Sequence, residues 1–508
     1  MNILIIQQLA WGIQIGHAVA RTLQGQGHQL STLVHGAEVR AFVEAQADVR
    51  YRHVYFADPL YDEGEIPVSP EHVGEIEERY DIPSLCRLIA GDRFLAFSFL
   101  DSRRFVARKP VSNDYILSVC WRTYQLVQEM LDHVKPDYVL APVVASLANY
   151  LLFLECRRRG IPFFTIASAR FANVFYVADD QYMGSARVRE RFRELADDPV
   201  PSPKYAEARR LYDEIRQRAD SARPSYMRRV ARSRPTAGGY VRAVGALALM
   251  APRLARALLR PRHVMAIRKI WMPANSRWNA ARSVLVNTRE RFVPTDRQRP
   301  CLRSLDQARF PYVFFPLHVE PELSLLVFAP EHTNQIELCR RVALALPRGV
   351  RLLVKEHPAM VTSRPRRFYE DLAGLVNVEL IHSSVSSHDI FADARCRAVL
   401  VVSSTVGFEA AMDGRPVVSL GPTDYAVLPT VQPAASLEEA IERLRALCVG
   451  QPPPRQDAVD RANVAYLCAV LEQAIALDYM ERWMSKAGSI DVEALVERIH
   501  SRLQESVS

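Results

Sequence analysis

With 508 residues, 49% of them hydrophobic and 24% charged, the chain has material for two or more domains with cores of their own. Its eight cysteines are scattered without a CxxC pair, which excludes a zinc ribbon or a disulfide framework, and no apolar run reaches the ~18–20 residues that span a bilayer. The net charge of +8 is unevenly spread along the chain, and its sign alone excludes no class of partner.

The N-terminal half alternates short apolar runs with helical stretches, the pattern of a parallel sheet covered on both faces. Residues 3–6 read as a buried strand, with none of the basic and cleavage signals of a secretory leader. Residues 12–17, Gly-Ile-Gln-Ile-Gly-His, resemble the opening loop of a Rossmann-like unit; a helix is expected from 18, ended by Gly27-His28, and a strand over 30–34. Gly12 and Gly16 do not complete a GxGxxG, so no dinucleotide cofactor is expected. His17 is a candidate ligand group, with a helix cap as the plainer reading. Residues 51–112 are less regular, with acidic stretches at 62–65 and 71–79. Helices are expected over 118–134 and 146–159, the second stopped by Gly160, with a strand ending in a loop over 136–142 and a strand over 161–166. Arg170 follows as a candidate for an acidic sugar or phosphate. Asp179-Asp180 reads as a loop cap rather than a metal motif, and no metal is expected.

Residues 190–220 are charged and helix-like. From 221 to 289 there is no Asp or Glu, but there are fifteen Lys or Arg; 8 − 15 leaves −7 for the rest of the chain. Arg253, Arg256 and Arg260 fall on one helical face and Leu247, Met250, Leu254 and Leu258 on another, with Trp271 and Trp278 beyond. This pattern reads as a segment lying on an anionic membrane surface or a polyanionic glycan. A basic linker packed on the protein's own acidic face is the alternative. Nucleic acid is not expected, since no recognition motif accompanies the charge.

A second α/β unit begins near Tyr312. A strand over 312–315 is followed by a loop with His318, Glu320 and Glu322. A helix over 335–346 leads to a strand over 350–354 that ends in Lys355-Glu356-His357-Pro358. A strand over 398–402 ends in Ser403-Ser404-Thr405-Val406-Gly407, a helix to Asp413 is stopped by Gly414, and a strand follows over 417–420. In such sheets ligands bind beyond the carboxyl ends of the strands, where both polar clusters lie. Hydroxyls, free N–H groups and the positive end of a helix suit a phosphate; a plain N-cap and a plain turn are the bland readings. Glu409, one turn into that helix, is placed to accept hydrogen bonds from ribose. Helices are expected over 437–447, 459–485 and 491–504.

Lys355-Glu356-His357-Pro358 and Ser403-Ser404-Thr405-Val406-Gly407-Phe408-Glu409-Ala410, with Phe315-Pro316-Leu317-His318-Val319-Glu320-Pro321-Glu322 upstream, resemble the capsule polysaccharide biosynthesis family, which includes bacterial Kdo transferases of capsule export. The resemblance covers about 310–425 well and 1–185 weakly. It implies an α/β, GT-B-like, metal-independent glycosyltransferase. Two Rossmann-like domains, 1–185 on the acceptor side and 306–450 on the donor side, would face a cleft, with a basic helical insert over 186–305 and closing helices over 451–508. The resemblance makes His357, Ser403, Ser404 and Thr405 contacts of the donor phosphate; Lys355, for its charge, and Glu409, for ribose, complete the donor-binding set, Glu320 and Glu322 are the candidate catalytic acids, and His17 and Arg170 the acceptor-side candidates. The nucleotide-sugar, CMP-Kdo among the candidates, is then a substrate and not a cofactor, and the acceptor is a glycan or glycolipid at the inner membrane face. A cytoplasmic, peripherally membrane-associated protein is expected. A CDP-polyol phosphotransferase of the teichoic-acid type, a nucleotide-sugar epimerase and a non-catalytic scaffold are the rival readings.

Overall fold

The computed structural model describes residues 1–92, 112–218, 300–320, 322–361, 366–450, 454–476 and 492–507, together with Leu95, Ala222, Gln298, Arg364 and Pro452. Apart from Ala222, the acid-free window 221–289, and with it the expected membrane-facing segment, lies outside the described residues. Among the described residues no helix is long and apolar enough to cross a membrane.

In the N-terminal sheet, β1 (Asn2–Gln8), β2 (Gln29–His35), β3 (Tyr51–Phe56), β4 (Tyr138–Leu140) and β5 (Phe163–Ser168) run parallel in the order β3-β2-β1-β4-β5. β6 (Val174–Ala178) joins antiparallel to β5. Ile3 and Ile5 pack under α1 (Leu9–Gly25), which lies beside α2 (Ala37–Ala45). Leu4 and Ile6, on the opposite face, pack under α3 (Asn113–Val134) and α4 (Leu147–Arg159). Period-two alternation in a strand buried on both sides is why the run reads as continuously apolar.

The expected loop over 12–17 is absent: α1 starts at Leu9, directly after β1. The glycines serve close approach instead of a turn. A Cβ on Gly12 would stand 3.0 Å from the Gln7 carbonyl carbon, and one on Gly16 would collide with the Gln7 side chain and the Trp11 ring. β3 and β6 were not legible either. β3 sets Arg52 beside His53 and Val54, Tyr55 and Phe56 in a row, with no clean period, and β6 follows a turn in which Arg170 and Ala172 have φ of 66° and 44°.

The second sheet is wholly parallel. It contains β7 (Tyr312–Pro316), β8 (Arg351–Lys355), β9 (Val378–Ile381), β10 (Cys396–Val401), β11 (Val417–Ser419) and β12 (Val431–Pro433), ordered β9-β8-β7-β10-β11-β12. The strand order reverses between β7 and β10, the doubly wound arrangement. α7 (Gln335–Ala345), α8 (Arg366–Ala373), α9 (Ser387–Ala392), α10 (Thr405–Met412) and α11 (Leu437–Cys448) cover its faces.

The chain crosses between the two sheets more than once. α5 (Ala186–Leu195) and α6 (Tyr205–Arg216) pack on α12 (Gln456–Glu472), and Phe171, Tyr176, Phe408, Tyr425 and Tyr466 share one core. Arg191 Nε donates to Glu472 at 2.7 Å, and Tyr212 donates to Asp460 at 2.7 Å. The helix expected over 459–485 stops at Glu472. β13 (Ile475–Ala476) then joins β6 antiparallel, extending the N-terminal sheet. α13 (Glu493–Val507) buries Leu495, Val496 and Ile499 in the same cluster as Trp11 and Ile15 of α1.

Candidate functional site

The carboxyl edges of the two sheets face each other. Arg170 leaves the end of β5 and reaches the loop that leaves the end of β10. Its Nε donates to Asp424 Oδ1 at 2.7 Å, and its NH1 donates to the Ser403 carbonyl at 3.1 Å. Tyr466 donates to Asp424 Oδ2 at 3.1 Å. Although burial opposes the charge, Asp424 and the surrounding tyrosines raise the Arg170 pKa above its ordinary value. Arg170 is therefore a joint between the domains that holds the Ser403 backbone.

Ser403 is buried at the switch point between β7 and β10, and its N–H donates to His318 Nε2 at 3.3 Å. That bond leaves the imidazole hydrogen on Nδ1. Burial first, then His357, Arg364 and Arg170, push His318 down to about 3, so it is uncharged at neutral pH. Ser404 stands at the N-cap of α10, yet its hydroxyl caps nothing. The Oγ atoms of Ser403 and Ser404 are both buried without a hydrogen-bond partner in the protein. The plain N-cap reading of this cluster therefore fails: a helix start, with Thr405 as its first residue, carries two unused hydroxyls.

Tyr425 donates to the Ser404 carbonyl at 2.7 Å and fills the space above Gly407, where a Cβ would collide with its hydroxyl and stand 2.9 Å from Val401 Cγ2. Gly407→Ala is expected to cost about 1–3 kcal/mol in an unfolding titration, the usual cost of overpacking. The cost should shrink in a Tyr425→Phe background; an equal cost there would show that this contact is not its cause.

Across the switch point, Lys355 ends β8 with its Nζ donating to Ser387 Oγ at 2.8 Å. Burial lowers its pKa to about 8, with Glu409 and Asp389 opposing the fall. The structure thus brings Glu409, half-buried on α10, within electrostatic reach of Lys355. His357 is half-buried two residues beyond Lys355, and its pKa is lowered to about 4 by burial, Lys355 and Arg364.

Arg364, which no sequence pattern marked, holds this edge together from beneath. It is fully buried, donating from NH2 to the His318 carbonyl at 2.7 Å and from NH1 to Glu356 Oε2 at 3.2 Å, with its guanidinium 4.3 Å from the Phe368 ring centre. Tyr369 and the His357 N–H also donate to Glu356, at 2.9 and 2.6 Å. Glu320 belongs to this lattice: it accepts from Gln335 Nε2 and lies 3.4 Å from Arg364. Glu322 is exposed, immediately before the short helix Leu323–Leu326. Val327 and Phe328, just beyond, sink into the core of the N-terminal domain beside Val144 and Leu147.

His17 does not reach this edge. Because α1 begins at Leu9, it has travelled about 12 Å along the helix by residue 17. There its Nε2 lies 3.3 Å from Asp48, which precedes β3 at the opposite edge of the sheet. Asp179 and Asp180 hold backbone: Asp180 accepts from the N–H groups of Tyr182 and Gly184 at 2.9 and 2.7 Å, and Asp179 from Ala186 at 3.0 Å.

Residues 291–434 match the family described as "Capsule polysaccharide biosynthesis protein". No curated protein matches the sequence. Among solved structures, the β-Kdo 2,7-transferase of Thermosulfurimonas dismutans is 13% identical with a TM-score of 0.31, covering 74% of this chain and 89% of its own. The β-Kdo 2,4-transferase of the same organism is 14% identical with a TM-score of 0.28, covering 66% and 79%. The UDP-GlcNAc 2-epimerase of Neisseria meningitidis is 11% identical with a TM-score of 0.26, covering 93% and 98%. At these scores the likeness assigns neither an activity nor a ligand. The matched stretch, 291–434, carries Lys355, His357 and the Ser403-Ser404-Thr405 cluster, so the likeness to the capsule polysaccharide biosynthesis protein family lies on the second sheet and its loops.

Proposed function

We propose that the protein is a glycosyltransferase of capsule-type polysaccharide synthesis that takes its sugar from a nucleotide-activated donor. The observation that carries this reading is the pair of buried, unpartnered hydroxyls on Ser403 and Ser404 at the start of α10, with Lys355 and His357 at the end of β8 beside them. A donor phosphate there would receive hydroxyl and N–H hydrogen bonds and the Lys355 charge. As the bond between the anomeric carbon and the phosphate oxygen breaks, negative charge grows on the departing nucleotide, and these groups stabilise it where it forms. With its lowered pKa, His357 acts as a neutral N–H donor and Lys355 carries the positive charge. Glu409 takes the ribose hydroxyls. Glu322, the exposed carboxylate in the loop after β7, assists the acceptor hydroxyl, while Glu320 positions the loop. No metal is invoked. The acceptor is a glycan or glycolipid, and the acid-free segment 221–289 brings the protein to an anionic membrane face. The family match supports the polysaccharide setting; the donor we favour is CMP-Kdo.

The test is a binding panel of CMP, UDP, GDP and CDP-glycerol on the full chain, with CMP release from CMP-Kdo followed in parallel. CMP binding, with release of CMP only when acceptor is present, is the expected result. A UDP or GDP preference removes Kdo, CMP release from CDP-glycerol with a phosphodiester formed on the acceptor favours the polyol-phosphate rival, and no nucleotide binding overturns the proposal. The pH profile adds a check. Lys355 loses its proton near pH 8 in the free protein, so nucleotide affinity should fall as pH rises through about 8. In Lys355→Met that limb of the profile should be flat.

A further inference from the structure

At the carboxyl edge of the N-terminal sheet three uncharged polar side chains meet at the switch point between β1 and β4. Gln8 ends β1, and its register partner His35 ends β2. Asn149 lies in the first turn of α4, the helix that follows β4. Asn149 is fully buried and Gln8 nearly so. Asn149 Nδ2 donates to Gln8 Oε1 at 3.0 Å and to the Val143 carbonyl at 2.9 Å. Two carbonyl acceptors on Nδ2 fix which way the amide faces, and they leave Oδ1 as the unused end. Asn149 Oδ1 is buried without a hydrogen-bond partner in the protein, and so is His35 Nε2. Burial lowers the His35 pKa to about 4 and a hydrogen bond with the Asn149 side chain opposes the fall, yet by distance and angle that contact does not satisfy Asn149 Oδ1 or His35 Nε2.

Buried polar atoms without partners are costly and call for a ligand or an ordered water. The corner also lies where a second substrate would have to sit. It shares an edge with Ser168–Arg170, which meets the Ser403 loop, and α4 begins where Val327 and Phe328, just past Glu322, enter the N-terminal core. Its chemistry contrasts with the opposite wall. The donor side carries Lys355 and a helix start; Gln8, His35 and Asn149 offer only neutral donors and acceptors, which recognise hydroxyls and not a phosphate.

We propose that Gln8, His35 and Asn149 form a subsite for the hydroxyl groups of the acceptor sugar. The inference rests on the transferase reading above and gives that reading its second substrate wall.

The probe is an uncharged pyranoside, methyl β-D-galactopyranoside or methyl β-D-glucopyranoside, titrated against the full chain by saturation-transfer NMR. The CMP affinity and melting temperature are measured on the same samples. The wild type is expected to bind a pyranoside, and Asn149→Ala and His35→Phe to weaken that binding at least ten-fold with CMP affinity unchanged. Gln8→Met, close in shape, should behave alike and keep the fold. Unchanged pyranoside binding in all three variants overturns the proposal, as does a wild type that binds neither pyranoside. Loss of pyranoside binding only together with CMP binding and melting temperature in every variant overturns it as well, because the residues would then be holding the fold. The nucleotide panel tests the transferase reading separately, since it can fail with pyranoside binding intact.

Discussion

Arg364→Met is expected to destabilise the C-terminal domain by about 3–5 kcal/mol, the loss seen when one partner of a buried ion pair is removed. The reason is what stays behind. Glu356 is 4% exposed, and without Arg364 its carboxylate keeps, among the described residues, Tyr369 and the His357 N–H as donors. The His318 carbonyl loses its 2.7 Å donor at the same time. The pH dependence identifies the cause. Burial already raises the Glu356 pKa above 4.5, and Arg364 is the first influence opposing it. In the variant the folded-state pKa moves higher still, so the folded state holds a proton that the unfolded state has lost. Stability must then fall as pH rises from about 4.5 through the folded pKa, and the deficit should disappear below that window. Urea unfolding of the variant at several pH values reads this directly. A second change, Glu356→Gln, should recover most of the loss. A deficit that is independent of pH and insensitive to Glu356→Gln would mean that Arg364 acts through packing on Phe368 instead.

His357→Ala is expected to weaken CMP binding by roughly 10- to 100-fold, corresponding to about 1.5–3 kcal/mol for a hydrogen bond to a charged group. The fold should survive the change, because the contact that residue 357 makes to Glu356 comes from its backbone N–H, which alanine retains. Calorimetric titration of both proteins, with melting temperatures alongside, separates binding from stability. CMP affinity equal to the wild type would remove His357 from the site and leave Lys355 and the Ser403-Ser404 hydroxyls as its remaining support. Weaker binding with a pH optimum near 6 would mean that an imidazolium and not a neutral imidazole does the binding, contrary to its lowered pKa of about 4.

The second sheet was largely legible in the sequence because its central strands are short, β-branched and buried on both faces. β7, β8, β10 and β11 all fall where continuous apolar runs predict them. The two motif clusters sit at strand ends for the same reason, so the placement of His357 and Ser403 could be argued from periodicity alone. Side-chain partnerships could not. Nothing around Arg364 distinguishes it from its neighbours Arg366 and Arg367, which lie exposed on α8; only the fold makes it the cation beneath Glu356. Glu320 reads as a free loop acid until Gln335 and Arg364 are seen to hold it. Gln8 and Asn149 carry no charge and belong to no spaced motif, yet they lie 141 residues apart and share a hydrogen bond. His17 was misplaced for a local reason: glycines that read as a loop were spaces into which Trp11 and Gln7 fit. β9 was missed because four residues are too few to show a period.

The return of the chain to its starting sheet has a consequence during synthesis. The N-terminal sheet is completed at its edge by Ile475–Ala476, and α1, already packed on β1 and beside α2, receives its last packing partner only when Glu493–Val507 arrives. On a ribosome adding about 5–20 residues per second, the entire second sheet emerges before either piece is available. The domain that begins first is therefore finished last, and for that interval the flank of α1 that meets Leu495, Val496 and Ile499 stands uncovered. A nascent chain with residues 1–472 outside the ribosome should present a closed second sheet, α12 included, joined to an incomplete, chaperone-sensitive N-terminal sheet.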